Sequence, residues 1–343
     1  MINKDNNLEI IRLFLAFQVL IVHAFHHLYD IDLSYLEYLP GVPAFFFLSG
    51  FLIYASYMNS PNLSSYFKNR FLRLFPGLFS VAVFSGVFVY LYRIIAGESE
   101  NLFIIGWVFA QFTLGQAYNP SELRELGVGV FNGSLWSITV EILFYIALPI
   151  IAIIMSRFRG FLLIIIIVSF VLYSFSASIF NFKFLLGKPF YEFLNLTPIT
   201  WGWMFGLGIV AYKYFEVIKP YIKFFWLAII PMLIMASLSE GKYLFMSQGN
   251  NLGLLYFICY SLLVLYIAFH LKPIKLKVDI SYGCYIWHMP VINVLIVFGM
   301  NSVFMAIAAS IILSLFSWFL IEKPALKLKK YGFMSALNKK VSY

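Results

Sequence analysis

Apolar residues run through this chain in long blocks, and the few polar positions inside those blocks carry most of the information. The first block, Asn7 to Tyr29, reads NLEIIRLFLAFQVLIVHAFHHLY. A helix crosses bilayer hydrocarbon in about 20 residues, so this block can span. Further blocks follow at Pro40–Met58, Leu74–Ala96, Ser134–Met155, Gly160–Phe180, Ile199–Tyr212, Phe224–Leu238, Leu252–His270, Ile280–Phe298 and Val303–Ile321. One more, Leu102–Gly115, is too short for an ordinary crossing and predicts a re-entrant hairpin. The expected fold is an all-α polytopic membrane protein with about ten transmembrane helices and that hairpin.

Composition agrees with the pattern. Of 343 residues, 62% are hydrophobic and 11% charged, where soluble domains carry roughly 25% charged residues. The spans take up most of the length, and no separate soluble domain is expected. Residues 1–330 are expected to form one transmembrane domain and 331–343 a short basic cytoplasmic tail. The first apolar segment is too long for a signal-peptide core, and no small-residue cleavage site follows it. The net charge of +9 is no nucleic-acid footprint, because basic residues of membrane proteins collect in cytoplasmic loops. Cys259 and Cys284 both fall in predicted spans, which implies neither a disulfide framework nor a metal site.

The same charge rule sets the orientation. If Leu102–Gly115 does not cross, Lys68, Arg70, Arg73, Arg157, Arg159, the lysines of 213–223 and 272–277 and those of the tail all face the cytoplasm. Only Arg93, Arg124, Lys183, Lys188 and Lys242 then face outward. If it crosses, every later loop flips and most basic residues land outside. The first arrangement follows the rule, so both termini are expected in the cytoplasm and the hairpin on the outer side.

Depths follow from orientation at ~1.5 Å per residue. Arg12 lies about one turn above the cytoplasmic surface. His23, eleven residues further on nearly the same helix face, lies ~22 Å up, in the outer third of a ~30 Å core. Glu141, in a span that starts from the outer side, is ~10 Å below that surface and so at the same depth. Ser49, in the run FFFLSGF, comes out level with them. An ionisable side chain at the centre of a span costs roughly 2.5–3.5 kcal/mol, an unnecessary cost in a mere anchor. A carboxylate beside an imidazole fixes its tautomer and suits general-base catalysis, which makes His23 the expected base and Glu141 its partner. Glu141 can also be read as a structural hydrogen-bonding partner between helices, and Ser49 as a small residue that permits close packing.

A second group sits lower. Arg70 and Arg73, with Pro76 behind them, lie at the cytoplasmic surface near Arg12, and His288 ~12 Å above it. Arginine forks grip phosphates in bidentate fashion, so this group points to a cytosolic phosphate-bearing ligand. Topology anchoring is the alternative for Arg70 and Arg73. His26 and His27 are expected at the interface, and His270 is assigned no role. A donor entering from the cytosol would reach toward His23, and an acceptor would arrive from outside near Trp136 and Ser137.

These residues resemble the membrane-bound acyltransferase 3 family. Its first-helix pattern of a basic residue, ten others and a histidine is matched by Arg12 and His23, with Leu8-Glu9 where members often have Leu-Asp. Its second-helix pattern is matched by Gly41 to Phe51, its double-arginine turn by Arg70, Arg73 and Pro76. Its serine–leucine–tryptophan–serine signature is matched by Ser134 to Ser137, in a run continuing to Tyr145. The late run Ser281 to Pro290, which holds Tyr282 and His288, and Glu322-Lys323-Pro324 fit as well.

The resemblance implies acyl transfer, usually of acetyl from acetyl-CoA, to a carbohydrate across the bacterial cytoplasmic (inner) membrane. O-antigen, capsule and exopolysaccharide form the leading acceptor class, free or lipid-linked. Site residues are then His23 and Glu141 for catalysis, Arg12, Arg70, Arg73, Tyr282 and His288 for the donor, and Ser49, Trp136 and Ser137 for the acceptor. Membrane lipids are the other expected contacts; no nucleic acid and no metal are expected, and the oligomeric state stays open. A succinyl or other acyl group remains an alternative, as does a covalent intermediate on His23 or Ser49. A lipid-linked sugar flippase or other transporter is the rival class, but the chain shows no internal repeat of the kind transporters often carry.

Overall fold

A computed structural model describes residues 5–60, 62–99, 101–176, 193–238 and 247–330. The expected basic tail and the outer-loop lysines Lys183, Lys188 and Lys242 lie outside the described residues. The chain is an all-α polytopic membrane protein. Its longer α-helices are α1 (Leu8–Tyr29), α2 (Gly41–Met58), α3 (Leu63–Ile95), α4 (Phe103–Gln111), α5 (Trp136–Arg157), α6 (Phe161–Ser176) and α7 (Pro198–Lys213). Then come α8 (Ile229–Leu238), α9 (Leu254–Phe269), α10 (Ser281–Val297) and α11 (Val303–Ser317). The strands described are two residues each, Ser247–Gln248 pairing antiparallel with Asn251–Leu252.

Among the described residues, seven helical stretches are long and apolar enough to cross a membrane: 8–29, 36–58, 63–95, 133–157, 193–213, 215–238 and 303–327. Three shorter apolar helices, α6, α9 and α10, fall where the remaining predicted spans lie. Helix α4 occupies the block read as re-entrant. Its nine residues reach about 14 Å at ~1.5 Å per residue, less than half of a ~30 Å core. The stretch Lys219–Ala228, ahead of α8, is a 3-10 helix.

One boundary differs instructively from the sequence reading. Lys68, Arg70 and Arg73 were expected in a turn ahead of the third span, yet α3 begins at Leu63 and carries all three within it. Asn62 caps this helix, its side chain accepting from the Ser65 amide at 2.8 Å, which satisfies an amide that a helix start leaves orphaned. Charge marks where the apolar stretch begins, not where the helix begins.

The described helices fall into two compact units. The first comprises residues 1–59 and 136–281, hence α1, α2 and α5–α9. Within it α2 and α7 approach at backbone distance through two glycines. A Cβ on Gly50 would lie 2.0 Å from the Phe205 carbonyl oxygen, and one on Gly208 2.1 Å from that of Phe47. No side chain fits in either gap, so glycine is required by proximity rather than by backbone freedom.

Polar ties join α1 to its neighbours. The Gln18 side chain accepts from the Gly41 amide at 3.0 Å and donates to the Leu36 carbonyl at 3.1 Å. Asn7, 2% exposed, donates from Nδ2 to the carbonyls of Ile267, Leu271 and Lys272 and accepts from the Ile274 amide at 2.8 Å. In an apolar interior, such groups cost free energy unless every one is paired.

The second unit comprises residues 60–135 and 282–343. Here α10 carries Asn293, fully buried, which donates to the carbonyls of Val130, Phe131 and Met289 and accepts from the Val128 amide at 2.8 Å. One side chain thereby fastens the irregular 127–133 segment. Arg93 at the end of α3 bonds Glu98 Oε2 at 2.7 Å and Asn101 Oδ1 at 2.9 Å, and its guanidinium lies over the Phe103 ring at 5.1 Å. It latches the start of α4.

Candidate active site

In the first unit, α2 and α5 bring three polar groups together inside apolar surroundings. Glu141, in the second turn of α5, accepts a hydrogen bond from Tyr145 one turn later, at 2.5 Å. The same oxygen, Oε1, accepts from Ser49 Oγ of α2 at 3.3 Å. The helical period places residues i and i+4 on one face, so a glutamate and a tyrosine four apart meet without any loop. Bonds from a hydroxyl to a carboxylate are short and strong when the carboxylate is ionised. Tyr145 and Ser49 therefore fix the position of the Glu141 carboxyl group.

Trp136 opens α5 beside this group. Its ring leans on Phe46 of α2 at 6.3 Å and on Trp201 of α7 at 5.3 Å between centroids. Trp201 in turn is anchored by Nε1 donating to the Asn195 carbonyl at 2.8 Å. Ser137, next along α5, is buried. His23 sits on α1 with His27 one turn later, ring centroids 5.8 Å apart, and His27 meets His26 at 4.9 Å. His26 Nδ1 is 2.7 Å from Asp32 Oδ1 in the exposed segment after the helix.

The residues expected near a phosphate are divided between the two units. In the first, Arg12 on α1 faces Asp279, with Nη1 3.8 Å from Oδ2. In the second, Arg70 and Arg73 lie half-buried one turn apart on α3. Tyr282 donates its hydroxyl to the Leu74 carbonyl at 2.9 Å, and Gly77 sits under its ring. The tyrosine thus braces the helix immediately beyond the two arginines. His288 is completely buried, with Nδ1 3.2 Å from the Cys284 carbonyl. A carbonyl only accepts, so Nδ1 carries a proton.

Comparison with known proteins gives this arrangement its class. A family model described as an acyltransferase domain matches residues 5–323, nearly the whole chain. The chain belongs to the acyltransferase 3 family. Nodulation protein 10 of Rhizobium leguminosarum bv. viciae is 29% identical over 94% of each chain. An O-acetyl transferase of Shigella phage Sf6 is 24% identical over 94% of this chain and 96% of its own. A putative acetyltransferase, ORF330, of Acidianus two-tailed virus is 25% identical over 84% and 83%. No solved structure matches.

Within this acyltransferase, the sequence reading passed over two residues that the tertiary contacts single out. Tyr145 closes the motif run, and its spacing from Glu141 was a usable signal. Asp279, the partner of Arg12, had none, because it is 267 positions away and preceded by lysine-rich sequence.

Proposed function

We propose that this membrane acyltransferase takes acetyl from acetyl-CoA and transfers it to a hydroxyl of a surface carbohydrate such as O-antigen, capsule or exopolysaccharide, at the bacterial inner membrane. The observation that carries the reading is the Glu141 carboxylate, held by Tyr145 and Ser49 within the span of a chain that belongs to an acyltransferase family. The name of the phage Sf6 relative, an O-acetyl transferase, supports oxygen as the acceptor atom.

His23 acts as general base in this reading. It removes the proton of the acceptor hydroxyl as that oxygen attacks the thioester carbonyl. The tetrahedral intermediate then collapses, the C–S bond breaks, and the imidazolium returns its proton to the departing CoA thiolate. Glu141 stabilises the imidazolium between the two transfers, while Tyr145 and Ser49 keep the carboxylate oriented. Trp136 and Ser137 receive the acceptor, with Trp136 offering an aromatic face to a sugar ring. Arg12, Arg70 and Arg73 neutralise donor phosphates, Tyr282 braces the two arginines of α3, and His288 lines the donor side.

Mass analysis of surface polysaccharide from cells with and without the gene tests the reading. An increment of one acetyl group per repeat unit is expected in the presence of the gene and is lost in His23→Ala. A polysaccharide of unchanged mass in both strains would overturn the acceptor assignment. A succinyl-sized increment would replace acetyl while keeping the reaction.

A further inference from the structure

Three polar ties strap the segment 270–280 to the beginning of α1. Lys275 Nζ lies 2.9 Å from Asp5 Oδ1. Asn7 binds carbonyls and an amide between Ile267 and Ile274. Arg12 faces Asp279.

The third tie differs in kind from the others. Asp279 uses Oδ1 for the Ser281 hydroxyl at 2.6 Å and the Ser281 amide at 3.3 Å, so its position is set by the start of α10. Its other oxygen meets Arg12 at 3.8 Å, beyond the ~2.7–3.2 Å of an N–H···O hydrogen bond. A carboxylate that served to orient a guanidinium would engage it at bonding distance, ideally through both oxygens. At this separation Asp279 supplies charge but little direction. Both side chains also keep contact with the surroundings, Arg12 24% exposed and Asp279 12%.

We propose that Asp279 is a resident counter-anion for Arg12, which an anionic phosphate group of the acyl donor must displace or share. The inference rests on the reading of Arg12 as a donor-phosphate residue. Its consequence has a sign that is unusual for removal of a half-buried ion pair. A phosphate must compete with Asp279 for the charge of Arg12. Neutralising the aspartate therefore tightens donor binding. Damage to the local structure would weaken it. Asp279 is accordingly a positioning residue that sets donor affinity through Arg12 and takes no part in the bond-making steps.

Purified full-length protein in nanodiscs, titrated with coenzyme A at several salt concentrations, provides the test. Asp279→Asn preserves the contact with the Ser281 hydroxyl and is expected to lower the CoA dissociation constant three- to tenfold at low salt, with the gain shrinking as salt screens it. The donor KM should fall likewise with little change in kcat. Arg12→Ala should raise the dissociation constant, and Arg12→Ala combined with Asp279→Asn should match Arg12→Ala alone. Should Asp279→Asn misfold, Asp279→Ser keeps a hydroxyl for the cap and carries the same expectation. Unchanged or weaker CoA binding by the Asp279 variants, with Arg12→Ala impaired, overturns the counter-anion role and leaves the donor reading standing. Normal binding by Arg12→Ala overturns both.

Discussion

Glu141 and Tyr145 meet across one helical turn, and their proposed part in the reaction is testable residue by residue. Loss of a general base typically removes 10²–10⁴ in rate, so His23→Ala is expected to abolish detectable acetylation while the protein still inserts and binds CoA. Glu141→Gln keeps a hydrogen-bonding group but loses the charge, and should cost less. Tyr145→Phe removes the 2.5 Å bond. A hydrogen bond to a charged group is worth about 1.5–3 kcal/mol, so a tenfold or greater loss of kcat is expected if the reading of Glu141 is right. Losses from His23→Ala and Glu141→Gln should not add, because both disable one unit. Steady-state rates with radioactive acetyl-CoA decide each case. Full activity in Tyr145→Phe would reduce that contact to helix packing. Direct transfer further requires that wild-type protein, acid-quenched with donor alone, retain no acyl label; label lost in Ser49→Ala would establish a covalent route instead.

Among the helices, α2 and α7 depend on contact where nothing can be inserted. Gly50→Val and Gly208→Val would each place side-chain atoms on a facing carbonyl. Overpacking commonly costs about 1–3 kcal/mol, and with backbone as the obstacle the upper end or more is expected. Thermal unfolding in detergent should show a lower midpoint for both variants. Gly106 on α4 is the control, since a Cβ there meets nothing within 4 Å; Gly106→Ala should match wild type or slightly exceed it, alanine being the better helix former. Helix α3 makes a different point. Its span was legible from hydropathy alone, yet its first turns were not, because lysine and arginine are good helix formers and the helix simply continues through the charged stretch. Arg70→Ala and Arg73→Ala should weaken CoA binding about ten- to hundredfold if they hold phosphate. Binding like wild type in both would leave them as topology anchors.

For the molecule as a whole, the distribution of Lys and Arg predicts the topology. Single cysteines at Asp32 and Asn119, in a background lacking Cys259 and Cys284, should react with impermeant reagent from the outer side. Cysteines at Asn69, Arg157 and Lys277 should react only after the cytoplasmic side is exposed. Cysteine labelling suits Asn69 better than an inserted tag because α3 runs through it. Reactivity at Arg157 from the outer side would mean that the block containing α4 crosses the membrane, and the depths assigned to Glu141 and to the later helices would have to be redrawn.

The long apolar blocks were readable without coordinates because burial in hydrocarbon leaves a helix as the way for a lone segment to satisfy its own backbone. Periodicity likewise revealed Arg12 and His23 on one helix, and the motif run around Glu141, since both are facts of local spacing. What no local pattern contains is a partner distant in the chain. Glu141 receives Ser49 from 92 positions away, and Arg12 finds Asp279 from 267. Gly50 and Gly208 must be bare because each faces the other helix's backbone. Those pairings are decided by which helices lie side by side, and adjacency comes from packing shape and polar satisfaction summed over the whole set of helices rather than from any one of them.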